Sequence, residues 1–390
     1  MLDEIKSLKQ KPNILIIISD DHRWCDALSL GNNDVHMPNL DRLASEGMIL
    51  RNYYTPSPIC APSRMCLYTG LFPVRNGGYP NHSRCHDGTK SMVHHFQSLG
   101  YRVGLHGKTH IGDENVFPFR KAGDIGAFMT KDPQNPYCLV IGTQEPHAPW
   151  GSLIAEKYNP DAIRLPPYLL DTPGTCDALA RYYSSLTRLD EKIGLHLDCV
   201  EKSGQKDNTI VIYTSDHGAQ FPGGKWTCYE PGLRVAFVIR WPGRIKPGTT
   251  SSALVQHADV LPTLLEAAGA DPTKFDTGLS GAPDGTRGFD GRSFLEILRG
   301  NAGNHRDCIC GLNTQYGTIN GPVYPTRSVS DGHRKYIINP CHETEYRNAI
   351  TATPNARHEN AYWQEWLEAA KRLADAAMYA AKSAGRGSYR

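Results

Sequence analysis

Seven residues near the amino terminus, Asn13–Ser19 (NILIIIS), constrain the fold more than any other stretch, because they form an almost unbroken β-branched apolar run with no polar alternation. A strand of that kind must be covered on both faces, as a central strand of a parallel sheet is. The run ends directly in Asp20 and Asp21. Parallel α/β sheets bind ligands beyond the carboxyl ends of their strands, so these two carboxylates stand where a site forms.

Further strand patterns fall at residues 101–105, 137–142, 209–214 and 235–241, with helical patterns between them at 39–47, 91–99 and 177–203. Strands alternating with helices predict an α/β fold: a large, mostly parallel sheet sandwiched by helices. After Gly300 the character changes. Short β-like runs at 307–311, 326–330 and 335–339 precede an Ala-rich stretch at 359–383. The expected division is a catalytic α/β domain over 1–303 and a small C-terminal subdomain over 304–390, with antiparallel strands and a terminal helix. The Pro/Gly-rich segment at 270–291 reads as a surface loop.

Lysine and arginine number 42 against 40 aspartates and glutamates. Such a balance gives no whole-molecule field for a nucleic acid or an anionic membrane, and neither partner is expected. Met1 to Lys11 is polar and charged, and the apolar run Ile14–Ile18 is too short for a signal-peptide core or a membrane span. The chain as written is therefore expected in the cytoplasm, and in the periplasm or outside the cell if an export signal has been removed. The eleven cysteines show no zinc-ribbon spacing, and most are expected to be reduced, buried core residues.

Chemistry concentrates in Pro58-Ile59-Cys60-Ala61-Pro62-Ser63-Arg64. Pro62 is well placed to open a helix through Met65 to Thr69, which puts Cys60 at the positive end of that helix. The same field lowers a thiol pKa and attracts bound anions. On these residues alone, a buried structural cysteine beside a turn stands as an equal reading.

Cys60-x-Pro-Ser-Arg64 followed by Leu67-Tyr68-Thr69-Gly70 resembles the signature of the type I sulfatases, members of the alkaline phosphatase superfamily. Other segments fit that family in the same order: Asp20-Asp21, Gly107-Lys108-Thr109-His110, Pro146-His147, Ser215-Asp216-His217-Gly218 and Gly291-Arg292-Ser293. Within the family, residues 107–119, 214–223 and 324–329 are most similar to the N-sulfoglucosamine sulfohydrolases, the sulfamidases.

The resemblance implies that a maturing enzyme oxidises Cys60 to formylglycine, whose hydrate attacks sulfur in a sulfate ester or sulfamate on a small sulfated sugar. It implies one divalent metal held by Asp20, Asp21, Asp216, His217 and the residue at 60. Calcium is expected, while His217, where relatives commonly carry Asn, shifts the ligand set toward manganese, zinc or iron. By the same match Lys108 and Lys225 neutralise the transferred group, and Arg64 holds the hydrate and metal shell. His110 removes a proton from the hydrate, and His147 with Lys225 protonates the leaving atom. His82, Glu145 and Arg327 are candidate sugar contacts.

Two other readings stand beside this one: a phosphonate monoester or phosphodiester hydrolase of the same superfamily, and an inactive protein that binds sulfated glycans. The family usually continues past the point where this chain ends, with a Leu-Tyr-Asp segment that is not found before Arg390. The oligomeric state is left open.

Overall fold

The computed structural model describes residues 11–282, 285–314, 323–352 and 362–383, with side chains to residue 375. The strands are β1 (Asn13–Ser19), β2 (Met48–Leu50), β3 (Tyr53–Tyr54), β4 (Arg102–Gly107), β5 (Arg120–Lys121), β6 (Tyr137–Gly142) and β7 (Thr209–Ser215). They continue as β8 (Phe237–Arg240), β9 (Thr249–Ser251), β10 (Val255–Gln256), β11 (Ile309–Asn313), β12 (Thr326–Ser330) and β13 (Lys335–Ile338). Eight build one sheet in the order β5-β4-β6-β1-β7-β8-β2-β9. β1 lies in its interior, parallel to β6 on one side and to β7 on the other.

The period of two along β1 explains its composition. Ile14, Ile16 and Ile18 join the core on one face, which includes Met65, Leu67 and Tyr68 of the helix Cys60–Thr69. Leu15 and Ile17 join the opposite core, with Leu179, Leu186 and Ile193 of the helix Pro173–Lys202. Each fully buried side chain of this kind is worth roughly 2 kcal/mol, so a one-residue slip of β1 would cost both faces at once. The mostly parallel arrangement matches the expectation, with one departure: β8, predicted from residues 235–241, runs antiparallel to β7.

The C-terminal strands form the expected antiparallel sheet, in the order β11-β12-β13. β11 is tied to the larger sheet's loops by a hydrogen bond from Leu312 N to Pro56 O, 2.8 Å. The terminal helix spans Tyr362–Ser383; residues 359–361, where the Ala-rich pattern begins, lie outside the described residues. Among the described residues no helix is long and apolar enough to cross a membrane. All eleven cysteines are free, but only five are buried, four are half-buried and two are exposed, so the expectation that most lie in the core is corrected.

Gly291-Arg292-Ser293 turns out to do structural duty. A Cβ on Gly291 would sit 1.8 Å from the Ala258 carbonyl oxygen, so only glycine permits this approach. Beside it the buried Asp259 accepts from Gln256 N (2.9 Å), Arg292 N (2.8 Å) and Arg306 Nε (2.7 Å). Burial pushes the Asp259 carboxyl up, but Arg306 and His305 outweigh it and hold the group down at about 2. A depressed carboxyl stabilises the fold above its unfolded pKa, and that contribution is lost as pH falls through the folded value. We expect about 2 kcal/mol of stability to disappear between roughly pH 4 and pH 2. Denaturation midpoints followed over that range should fall less steeply in Asp259→Asn than in the wild type; identical slopes would contradict this.

Candidate active site

Four neighbouring strands deliver the site from their carboxyl ends. β1 ends in Asp20 and Asp21, β7 in Asp216 and His217, β4 in Lys108, and β6 runs on through Gln144 and Glu145 to His147. Gly218 is dictated by packing, because a Cβ there would lie 1.7 Å from the Pro231 carbonyl oxygen. The helix Cys60–Thr69 starts at Cys60 itself, two residues before Pro62, with Ile59 as its N-cap. Cys60 and Arg64 are four residues apart and so share one helix face, which is turned toward the strand ends.

Arg64 is fully buried. Its Nε donates to Asp216 Oδ2 at 3.0 Å and its Nη2 to Ser19 O at 3.4 Å, so it locks the ends of β1 and β7 together. Ser63 supports the same corner, its Oγ donating to Asp216 O at 2.5 Å.

Asp20, Asp21, Cys60 and His217 each bring a ligand-type atom within 4.8 Å of the others, and all four are buried. Cys60 Sγ is 3.5 Å from Asp20 Oδ1 and 3.2 Å from His217 Nε2. Asp216, which the sequence pattern placed among the ligands, borders this group. Its Oδ2 is taken by Arg64, its Oδ1 accepts from the backbone amides of Asp21 (3.2 Å) and His217 (2.9 Å), and Oδ1 lies 3.7 Å from His217 Nε2. Lys108 is ion-paired with Asp20, and Lys225 Nζ donates to both oxygens of Asp21 at 2.8 and 3.0 Å.

Two carboxylates, one imidazole and the side chain at 60, converging in a buried cluster beside the cavity that Asp20 lines, suit a divalent cation. The imidazole and thiol favour manganese, zinc or iron, whereas oxygen atoms at position 60 would turn the set toward calcium or magnesium. Binding at a hundred times Kd would stabilise the fold by about 2.7 kcal/mol. Wild-type Tm should therefore rise with added divalent cation and return with chelator, while Asp21→Asn should blunt the rise; an unchanged Tm for every cation would refute the assignment.

The electrostatics correct one expectation. The helix terminus was expected to lower the Cys60 thiol pKa, but burial dominates and pushes it up to about 12, with Lys225 opposing. An unmodified thiol here is neutral and a poor nucleophile. Asp216 is held well below the carboxylate range: burial, which raises it, is outweighed by His217, Arg64, Lys108 and Lys225. Burial lowers Lys108 to about 8 and His217 to about 4. His110 is brought down to about 3 by burial, Lys108 and His82, and His147 to about 3 by burial, Lys225 and Lys108.

Both histidines are therefore neutral near pH 7. His110 Nδ1 is buried without a hydrogen-bond partner among the described residues, while its Nε2 lies 3.1 Å from His82 Nδ1. His147 directs Nδ1 to the Ala148 carbonyl, which leaves Nε2 for the cavity it lines. The positive-φ non-glycine residues among those described are Asp21 (72°), His82 (58°), His110 (45°) and Trp226 (68°), and each is one of these groups or adjoins one. Backbone strain of this kind gathers at working sites.

Glu145 lines the same cavity as Asp20, Lys108 and His147, and His82 packs against His110 with ring centroids 4.7 Å apart. Arg327 is not brought in: it is exposed on β12, and its Nη1 donates to the neighbouring Thr326 carbonyl at 3.0 Å. Sequence reasoning missed Gln144, Ser185 and Arg188, which also line the cavity. A signal was present, since Ser185 and Arg188 put polar groups three residues apart on a helix otherwise explained by its apolar stripe.

A mostly parallel sheet with carboxylates, buried cations and imidazoles gathered at its strand ends defines an alkaline phosphatase-like α/β hydrolase of an anionic substrate. The family model described as Sulfatase matches residues 12–130 and 124–270. An ulvan-active sulfatase of Formosa agariphila is 33% identical over 379 residues, spanning 92% of this chain and 72% of that protein. Human N-sulphoglucosamine sulphohydrolase is 28% identical over 302 residues, 65% of this chain and 60% of that one. A solved structure in complex with its substrate D-glucosamine-2-N,6-O-disulfate superposes with a TM-score of 0.68 at 21% identity, covering 94% of this chain and 97% of that one. The chain belongs to the sulfatase family.

Proposed function

We propose that the protein hydrolyses a sulfate ester or sulfamate on a small sugar, with position 60 as the attacking residue. The observation that carries this is the convergence on buried Cys60 of Asp20, Asp21 and His217, with Lys108 and Lys225 paired to the two carboxylates. The formylglycine hydrate formed from Cys60 by a maturing enzyme supplies the attacking hydroxyl, and a divalent cation, calcium by family resemblance, supplies positive charge against the sulfuryl oxygens.

The chain's own residues do the rest. Asp20, Asp21 and His217 hold the cation, with Asp216 bordering them and positioned by Arg64. Lys108 and Lys225 face the sulfate oxygens. His110, neutral and with Nδ1 unpartnered, takes up a proton at that atom. His147, whose Nδ1 is held by the Ala148 carbonyl, takes up a solvent proton at Nε2 once substrate is bound and passes it to the departing oxygen or nitrogen. Burial depresses His147 most, and Lys225 and Lys108 add to it; the negative sulfate offsets the lysines, so the proton affinity of His147 rises with substrate bound. Each positioned acid or base contributes roughly two to four orders of magnitude.

Similarity to the sulphoglucosamine enzyme and to the protein solved with glucosamine disulfate supports an amino sugar as the carrier. A side-by-side measurement of kcat/KM on N-sulfated glucosamine, an O-sulfated monosaccharide and a phosphonate monoester tests the reading. One of the sulfated sugars should lead by at least roughly 100-fold. A lead for the phosphonate by that margin would overturn it.

A further inference from the structure

The cavity beside Asp20, Lys108 and His147 extends over Gln144 and Glu145 to Ser185 and Arg188 of the helix Pro173–Lys202, with a volume of about 570 Å³. That is ample for a substituted sugar ring. Two groups on its far wall are only half used. Arg188 gives Nη2 to the Ser152 carbonyl, whereas its Nη1 is buried with no hydrogen-bond partner among the described residues. Glu145 holds Lys192 with Oε1, whereas its Oε2 is likewise buried and has no partner among the described residues.

A buried guanidinium N–H without an acceptor is costly to leave unmade, and it implies a ligand that supplies one. The charge balance of the wall says what kind. Asp20 is matched by Lys108 and Glu145 by Lys192, which leaves Arg188, among the described residues, as the cation on this wall without a carboxylate partner. A guanidinium fork prefers a planar or tetrahedral oxyanion over a hydroxyl.

Building on the saccharide reading above, we propose that Arg188 recognises a second oxyanion on the substrate, a carboxylate or a further sulfate, while Glu145 Oε2 accepts a sugar hydroxyl. The sulfate to be removed sits at the strand ends, and the second charge sits against the long helix. Arg188 is thus a specificity-determining residue that selects doubly charged saccharides.

The test is a ratio of ratios with Arg188→Ala and Arg188→Lys. In the wild type, kcat/KM is compared for glucosamine carrying two sulfates against one, and for a sulfated disaccharide with a uronate against its neutral counterpart. The Arg188→Ala variant should lower one of these preferences about tenfold or more, mainly through KM, with Arg188→Lys intermediate. Loss confined to the first pair identifies a sulfate, and loss confined to the second a carboxylate. Preferences equal to wild type in both pairs overturn the proposal. Calorimetric affinities for the same four saccharides in a Cys60→Ala background separate it from the parent reading. Charge-dependent binding that needs Arg188 supports the subsite even where turnover is absent. Binding indifferent to the second charge overturns the subsite alone, and no binding at all overturns both.

Discussion

Cys60→Ala is expected to lose turnover by roughly three orders of magnitude or more while the fold survives. The side chain is small, its sulfur contacts Asp20 and His217 at 3.5 and 3.2 Å rather than anchoring backbone, and alanine fits the first turn of a helix. Cys60→Ser separates the chemistry further. A serine offers one hydroxyl where the hydrate offers two, so transfer to it has no internal route to release sulfate, and at most a single turnover is expected. Initial rates, together with mass spectrometry of the peptide holding residue 60 and labelling by an aldehyde probe, check both statements. Full-speed catalysis from a preparation whose peptide carries unaltered cysteine would sink the assignment.

Arg64→Met should be the most damaging single change to stability in the site. Arg64 and Asp216 are both fully buried, and methionine keeps the bulk while stranding the carboxylate. Removing one partner of such a pair costs about 3–5 kcal/mol, because the remaining charge has no solvent to return to. Denaturant midpoints should show this loss. Adding Asp216→Leu should restore much of it, since two apolar side chains can replace a buried pair, but activity should stay absent. Recovery of activity in the double variant would show that the pair only fastens the sheet.

Much of this is legible in the amino-acid sequence alone. The β1 run fixed its own depth in the sheet, and the spacing from Cys60 to Arg64 marked one helix face aimed at the ligands. Strand direction was not legible: β8 has the same apolar pattern whichever way it runs, and its reversal depends on the loop that returns from β7. The acidity of Cys60 differs from the expectation because a helix terminus is visible in sequence, whereas the burial that outweighs it comes from segments distant in sequence, among them those of Asp20 and His217, 40 and 157 residues away. The surroundings of Asp216 were not legible either, since sequence shows a carboxylate and not the two amides and guanidinium that hold its oxygens. Arg327 belonged to a matching stretch, yet the alternation of β12 turns it outward.

Asp21, His82, His110 and Trp226 all carry a left-handed backbone. At about 1–3 kcal/mol each, these contortions together rival the net stability of an ordinary domain. No short peptide would hold them, so the catalytic loops take their shape only from the finished sheet beneath. On warming they are the parts with most to gain by letting go, and the protein should stop working while its scaffold still stands.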